Sequence, residues 1–154
     1  GGHQIAAGFR ISPDKIQDFK EACQAIARQN LKPDDLIPST DIDAHVEIHD
    51  INFRSIRLLN RLAPFGLGNP KPKFLLKHLH HHFAPRLVGV DGSHLKLTLA
   101  SGNRYIDAIG FGFGQYYNQI ASAQSLDVIA TPEINQWNQR ELLQLQIHDI
   151  KVYP

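Results

Sequence analysis

The stretch His94-Leu95-Lys96-Leu97-Thr98-Leu99 alternates strictly, with leucines at every second position and His94, Lys96 and Thr98 between them. Successive side chains on a strand point to opposite faces, so this period of two predicts a half-buried strand with the leucines inside. Asp91-Gly92 before it is a hairpin signal, and Ser101-Gly102-Asn103 after it is a second turn. Tyr105 to Phe113 reads as the next strand. Upstream, the chain from about Phe74 to Val90 reads as strand, broken or bent at Ala84-Pro85. Downstream, Gln115 to Ala123 suits a helix and Leu126 to Ile134 a strand; a loop around Trp137-Asn138 leads into a last strand, Leu143 to Val152. There Leu143, Leu145 and Ile147 share one face, while Ile150 and Val152 fall on the opposite phase. A bulge near His148-Asp149 returns both to the core.

The order is three strands, a helix, then two strands. It matches a five-stranded Greek-key barrel of the OB type, with the linking helix between the third and fourth strands. Another small open sheet with a helix fits the same count. The fold class expected is α+β, mainly β, with the barrel at about 73–152. Leu95, Leu97, Leu99, Leu143, Leu145 and Ile147 should lie inside it, with Lys96 and Thr98 outside. OB barrels bind oligonucleotides or oligosaccharides on one face, although a fold alone fixes no function.

Before the barrel, Asp43 to His49 alternates as a strand, and Asn52 caps a helix with a stripe of Phe53, Ile56, Leu59 and Leu62. Pro64-Phe65-Gly66-Leu67-Gly68-Asn69-Pro70-Lys71-Pro72 is a loop too rich in proline and glycine for helix or central strand. Residues 1–38 form a separate segment, a short strand plus one helix, and 39–154 the main domain. Ser12-Pro13-Asp14 opens that first helix, whose Ile16, Phe19, Cys23, Ile26 and Ala27 form a single apolar stripe. So short a segment cannot bury a core of its own and must lean on something else. Cys23 on that stripe reads as a buried structural thiol.

One cysteine excludes a disulfide framework and points to a reducing, cytoplasmic setting. No apolar run approaches the length of a membrane span, and no signal peptide opens the sequence, so no membrane role is expected. Net charge is +1, with an uneven distribution. Residues 64–104 carry Lys71, Lys73, Lys77, Arg86, Lys96 and Arg104 against Asp91 alone, whereas 105–154 carry two basic and five acidic residues. A local basic surface attracts phosphates even on a near-neutral protein. Lys73, Lys77, Lys96 and Arg104 are the candidate phosphate contacts, with Trp137 a candidate base-stacking residue. A solvated basic face, and a tryptophan that pins a hairpin, are the alternatives. His78, His80 and His82 would share a strand face, but structural zinc sites usually hold four ligands, often cysteines. No metal site is expected.

Three stretches carry a family resemblance. Gly1-Gly2-His3-Gln4-Ile5-Ala6-Ala7-Gly8-Phe9 resembles the Gly-Gly-His motif of the DHH-associated domain of DHH phosphoesterases. The proline-glycine loop through Lys73-Phe74 resembles the opening of the OB domain in the RecJ family of bacterial single-strand-specific exonucleases. His94-Leu95-Lys96-Leu97, Asp107-Ala108-Ile109-Gly110-Phe111, Asn135-Gln136-Trp137-Asn138 and Leu143-Gln144-Leu145-Gln146-Ile147 are similar to later landmarks of that domain. The resemblance implies a C-terminal piece of an enzyme of DNA repair and recombination that degrades single-stranded DNA from the 5′ end. Its catalytic ions, Mn²⁺ or Mg²⁺, would sit in an N-terminal domain outside this chain, which should be inactive alone and holds no cofactor itself. By the same resemblance, residues 1–38 close the DHH-associated domain, and Gly1, Gly2 and His3 hold the substrate backbone near the scissile bond. Single-stranded DNA is the implied partner. A structural module, or a dock for a single-stranded-DNA-binding protein, is the other reading.

Overall fold

The computed structural model describes residues 2–3, 6–137 and 139–154, with backbone alone described for 2, 3 and 137. The chain divides into two compact units, Gly1–Thr40 and Asp41–Pro154.

In the first unit, β1 (Gly2–His3) pairs antiparallel with β2 (Ala6–Ala7). A 3-10 turn over Pro13–Lys15 leads into α1 (Ile16–Asn30). Pro13 stands at the first position of that turn as expected, but the Ser12 hydroxyl makes no capping bond. The predicted stripe exists on α1, yet the helix buries no residue and Cys23 is exposed, which corrects the expectation of a buried thiol. The reason is size: the unit offers little beyond Phe9, whose ring lies 4.7 Å from that of Phe19, to cover the stripe.

The second unit is a closed barrel. Its strands are β3 (Ala44–His45), β4 (Phe74–His81), β5 (Arg86–Val88), β6 (His94–Ser101), β7 (Arg104–Gly110), β8 (Ser125–Trp137) and β9 (Arg140–Tyr153). They pair in the order β3-β4-β8-β9-β7-β6-β5, and a further β4–β6 pairing closes the ring. β4, β6, β7, β9 and β8 form that ring; β3 and β5 are short edge additions. β7 and β9 run parallel, and the other ring pairs are antiparallel. Two helices complete the unit's main elements: α2 (Phe53–Leu59), ahead of the barrel, and α3 (Tyr117–Ala121). A 3-10 turn at Phe113–Tyr116 and α3 link β7 to β8, a shorter helix than the sequence suggests.

The core follows the alternation. Leu95, Leu97, Leu99, Leu145 and Ile147 are buried with Leu76, Leu79, Leu126 and Val128, and Leu143 packs against them half-buried. The β8–β9 register passes from Ile129↔Asp149 to Ala130↔Ile147, so His148 is the extra residue of a bulge. Ile150 and Val152 accordingly rejoin the core. A second bulge, between Leu76 and Leu79 on β4, has no counterpart in the sequence pattern.

Two further expectations need correction. The strand read over 43–49 stops at His45, because the Glu47 amide donates to Asp50 Oδ2 at 2.9 Å and the chain turns into a 3-10 helix at Ile48–Asp50. Trp137 is not in a loop: it ends β8, opposite Arg140. Asn138, the rest of that proposed loop, lies outside the described residues. α2 starts as expected, with Asn52 Oδ1 accepting from the Ser55 amide at 3.0 Å and Ile56 buried. In the following loop, Asn69 Nδ2 donates to Leu62 O and Pro64 O, and Gly66 and Asn69 bridge to each other.

Candidate nucleic-acid interface

Between the buried leucines of β6, the side chains of His94, Lys96 and Thr98 face outward. The hairpin at residues 89–93 brings Arg86 directly opposite Lys96. Residues opposed across a ladder share a face, and like charges there repel. Neither cation forms an ion pair among the described residues, where the pairs are Lys15–Asp18, His49–Asp50, Arg57–Glu141 and Lys71–Glu133. An unneutralised pair of this kind creates a local positive potential that attracts anions.

Aromatic rings flank the pair. The imidazole of His82 stacks on Tyr105, with centroids 5.4 Å apart and planes at 3°, and meets the edge of Phe83 at 4.4 Å. Phe83 and Tyr105 are each more than 60% exposed. Flat, exposed rings beside a positive charge form a surface on which bases can stack. A groove of about 280 Å³ runs between Phe83, Arg86, Lys96 and Thr98. A second, of about 460 Å³, continues past Lys96 to Asp107, Asn135, Leu142 and Gln144. Its walls carry amides, and Asn135 Nδ2 donates to Gln144 Oε1 at 2.7 Å. The long β8–β9 hairpin builds that wall, and Arg57 on α2 reaches across to Glu141 to brace it.

The residues singled out from sequence fall in several places. Lys96 stands at the junction of the two grooves. Arg104 opens β7 opposite Ser101, at the turn end of the same strand pair. Lys73 and Lys77 belong to the β4–β8 wall instead. The Lys73 amide donates to Asp43 Oδ2, and its charge adds to desolvation in lowering the His148 pKa; Lys77 makes the smallest contribution at Asp127, after burial and the bonds from His78 and Tyr153. Trp137 ends the hairpin strand, and its side chain is outside the description, as is Gly1. Gly2 and His3 lie in β1 of the first unit.

The histidines do not share a face. His78 sits in the β4 bulge at φ 53° near Tyr153, His80 Nδ1 meets Gln124 O at 2.6 Å, and His82 lies beyond the strand on Tyr105. Among the described residues no three His, Cys, Asp or Glu side chains converge as a metal site would require.

His82, Phe83, Arg86, Tyr105 and Asp107 lie along or beside these grooves, and sequence reasoning did not select them as candidates. Only Arg86 had a countable signal, since a hairpin centred on Asp91 places it against Lys96. The aromatic cluster joins residues from separate segments and needs the closed barrel to appear.

The family model of the RecJ OB domain matches residues 42–149. Over 152 residues the chain is 32% identical to the single-stranded-DNA-specific exonuclease RecJ of Bacillus subtilis (strain 168), covering 99% of this chain and 19% of that protein. The enzyme of the same name from Haemophilus influenzae is 26% identical, covering 98% of this chain and 26% of its own length. The crystal structure of RecJ in complex with Mn²⁺ from Thermus thermophilus superposes with a TM-score of 0.70 at 25% identity, over 98% of this chain and 21% of that one. The chain thus spans about a fifth to a quarter of the curated relatives it matches. With most of its length under the family model and its strands paired in the ring order described above, this chain belongs to the RecJ OB domain family.

Proposed function

We propose that this chain is the nucleic-acid-binding C-terminal portion of a single-stranded-DNA-specific exonuclease, and that its β6–β7 face is the binding surface. The observation that carries the reading is the Arg86–Lys96 pair, two opposed cations without an ionic partner among the described residues, beside the exposed rings of Phe83 and Tyr105. Phosphates would lie on the cations and bases on the rings, the division of labour common to single-strand binders. Lys73, Lys77 and Arg104 would add attraction at longer range, and Trp137 a further stacking surface at the hairpin end. Gly1, Gly2 and His3, at the closing piece of a DHH-associated domain, would hold the strand near the scissile bond of the whole enzyme. Its Mn²⁺ or Mg²⁺ would be held by the part of the protein that this chain does not span, because the described residues here supply no such ligand set.

The test is fluorescence anisotropy with a labelled single-stranded oligonucleotide across a salt series. Each phosphate contact to a single strand contributes about 0.7 to the slope of log K against log salt. The double variant R86A/K96A should weaken binding and flatten the slope by about 1.4. Tyr105→Ala should lower affinity with the slope unchanged. A double variant with an unaltered salt curve would turn attention to the second reading, docking of a protein such as a single-stranded-DNA-binding protein. That reading draws on Leu87 and Val90, exposed at 49% and 111% on and beside the edge strand β5.

A further inference from the structure

We infer that Asp107 reads the base edges of the bound strand and favours cytosine, with its exocyclic amino group, over thymine. The inference rests on the interface reading above. Asp107 sits on the outer face of β7, opposite Thr98 on β6 and Gln144 on β9. The Thr98 hydroxyl donates to Oδ1 at 2.8 Å, which fixes the carboxylate and leaves Oδ2 without a partner among the described residues. Asp107 also makes no ion pair among them. It lines the amide-walled groove next to Lys96.

A phosphate cannot rest against an unneutralised carboxylate when two free cations stand on the same face. The backbone of a bound strand is therefore directed to Arg86 and Lys96, and a base edge is left to meet Asp107. Tyr105 lies on the same face of β7, two residues and about 7 Å away, so a base on its ring comes within reach of the carboxylate. A carboxylate only accepts hydrogen bonds. Cytosine offers it the N4 amino group, whereas thymine presents the O4 carbonyl at the same position. The amides of Asn135, Gln136 and Gln144 in the same groove each carry a donor and an acceptor and so suit either base, whereas Asp107 is the one acceptor-only side chain among the described residues that line it.

The test compares homo-deoxycytidine and homo-deoxythymidine oligonucleotides of equal length, by anisotropy at neutral pH and fixed salt, with the whole chain. The cytidine strand should bind about fivefold tighter, the lower end of what one base contact supplies. Asp107→Asn keeps the shape but presents both a donor and an acceptor. It should bind both strands and bring the ratio close to one, with its melting temperature recorded alongside to show that the fold is intact. Should Asp107→Asn be misfolded, Thr98→Val provides the second variant: by releasing the carboxylate it should reduce the preference. Equal affinities in the unaltered protein, or a preference that survives Asp107→Asn, would overturn the inference while leaving the interface standing. Failure to bind either strand would overturn the interface and the inference together.

Discussion

Asp127 is the buried acid of the barrel, only 8% exposed on β8. Burial alone would raise its pKa, but the amide of His78 at 2.9 Å and the hydroxyl of Tyr153 at 2.8 Å both donate to it and hold it below the ordinary value. A carboxyl depressed by folding stabilises the native state above its unfolded pKa, near 4, and loses that contribution as acid protonates the folded form. Unfolding by urea across a pH series should therefore show an acid-side loss that Asp127→Asn removes. Asp127→Ala should cost about 1–3 kcal/mol at neutral pH, because it strands two donors. His148 behaves in the opposite pH range. Partial desolvation of its ring, and then the charge of Lys73, push its pKa down against the weaker opposing pull of Glu133. The Thr131 hydroxyl donates its one proton to Pro72 O, so His148 presents Nε2–H to Thr131 Oγ1 at 2.8 Å. The unfolded chain takes up a proton near pH 6.5, before the folded one does. Stability should fall as pH drops through that value, and His148→Gln should lessen the slope there. An unchanged slope in the variant would count against this assignment.

At the level of elements, the hairpin at 89–93 and the turn after β7 touch through backbone. The Gly114 amide donates to Ser93 O at 2.9 Å, and a Cβ on Gly114 would come within 2.2 Å of Gly92 O. Gly114→Ala must push the two segments apart and should destabilise by about 1–3 kcal/mol, as overpacking does. Gly102 is the control, because a Cβ there meets nothing within 4 Å and only its φ of +58° resists substitution. Gly102→Ala should cost about 1 kcal/mol, and urea midpoints of the two variants compare them directly. The same scale shows what the sequence made legible. A period of two exposed β6, and the phase slip between Ile147 and Ile150 located the bulge at His148, since each is written in one strand's own residues. The β4 bulge left no such trace: Phe74, Leu75 and Leu76 are apolar in succession, and the histidines after them suit either face. β3 is shorter than its pattern suggests because the alternation runs on into a turn that the Glu47–Asp50 bond closes. The end of β8 has the composition of a loop because Asn135 and Gln136 stand on a hairpin with both faces open to water. Lys96 stands out in the sequence as a candidate because it interrupts leucines, whereas Tyr105 and His82 become neighbours only when β4 and β7 each pair with β6.

For the whole molecule, binding and cleavage should separate. The relatives are named exonucleases, yet this chain spans about a fifth to a quarter of their length. A two-metal hydrolytic centre needs ions about 3.5–4 Å apart, each held by several ligands, and the described residues bring no three such side chains together. The net charge of +1 also gives the molecule little overall pull on DNA, so under the proposed function affinity comes from the concentrated Arg86–Lys96 face and should be steeply salt-dependent. The expected outcome is a chain that binds single-stranded DNA at low salt and releases it as salt rises. Incubation with Mn²⁺ or Mg²⁺ should leave an end-labelled strand at full length on a denaturing gel. Shortening that follows the protein through successive purification steps and stops with chelator would show a hydrolytic site in this chain. Shortening that is lost on purification would belong to a contaminant. The R86A/K96A variant distinguishes the two cases further, since a reaction occurring on this surface must weaken with binding, and a contaminant's activity would not.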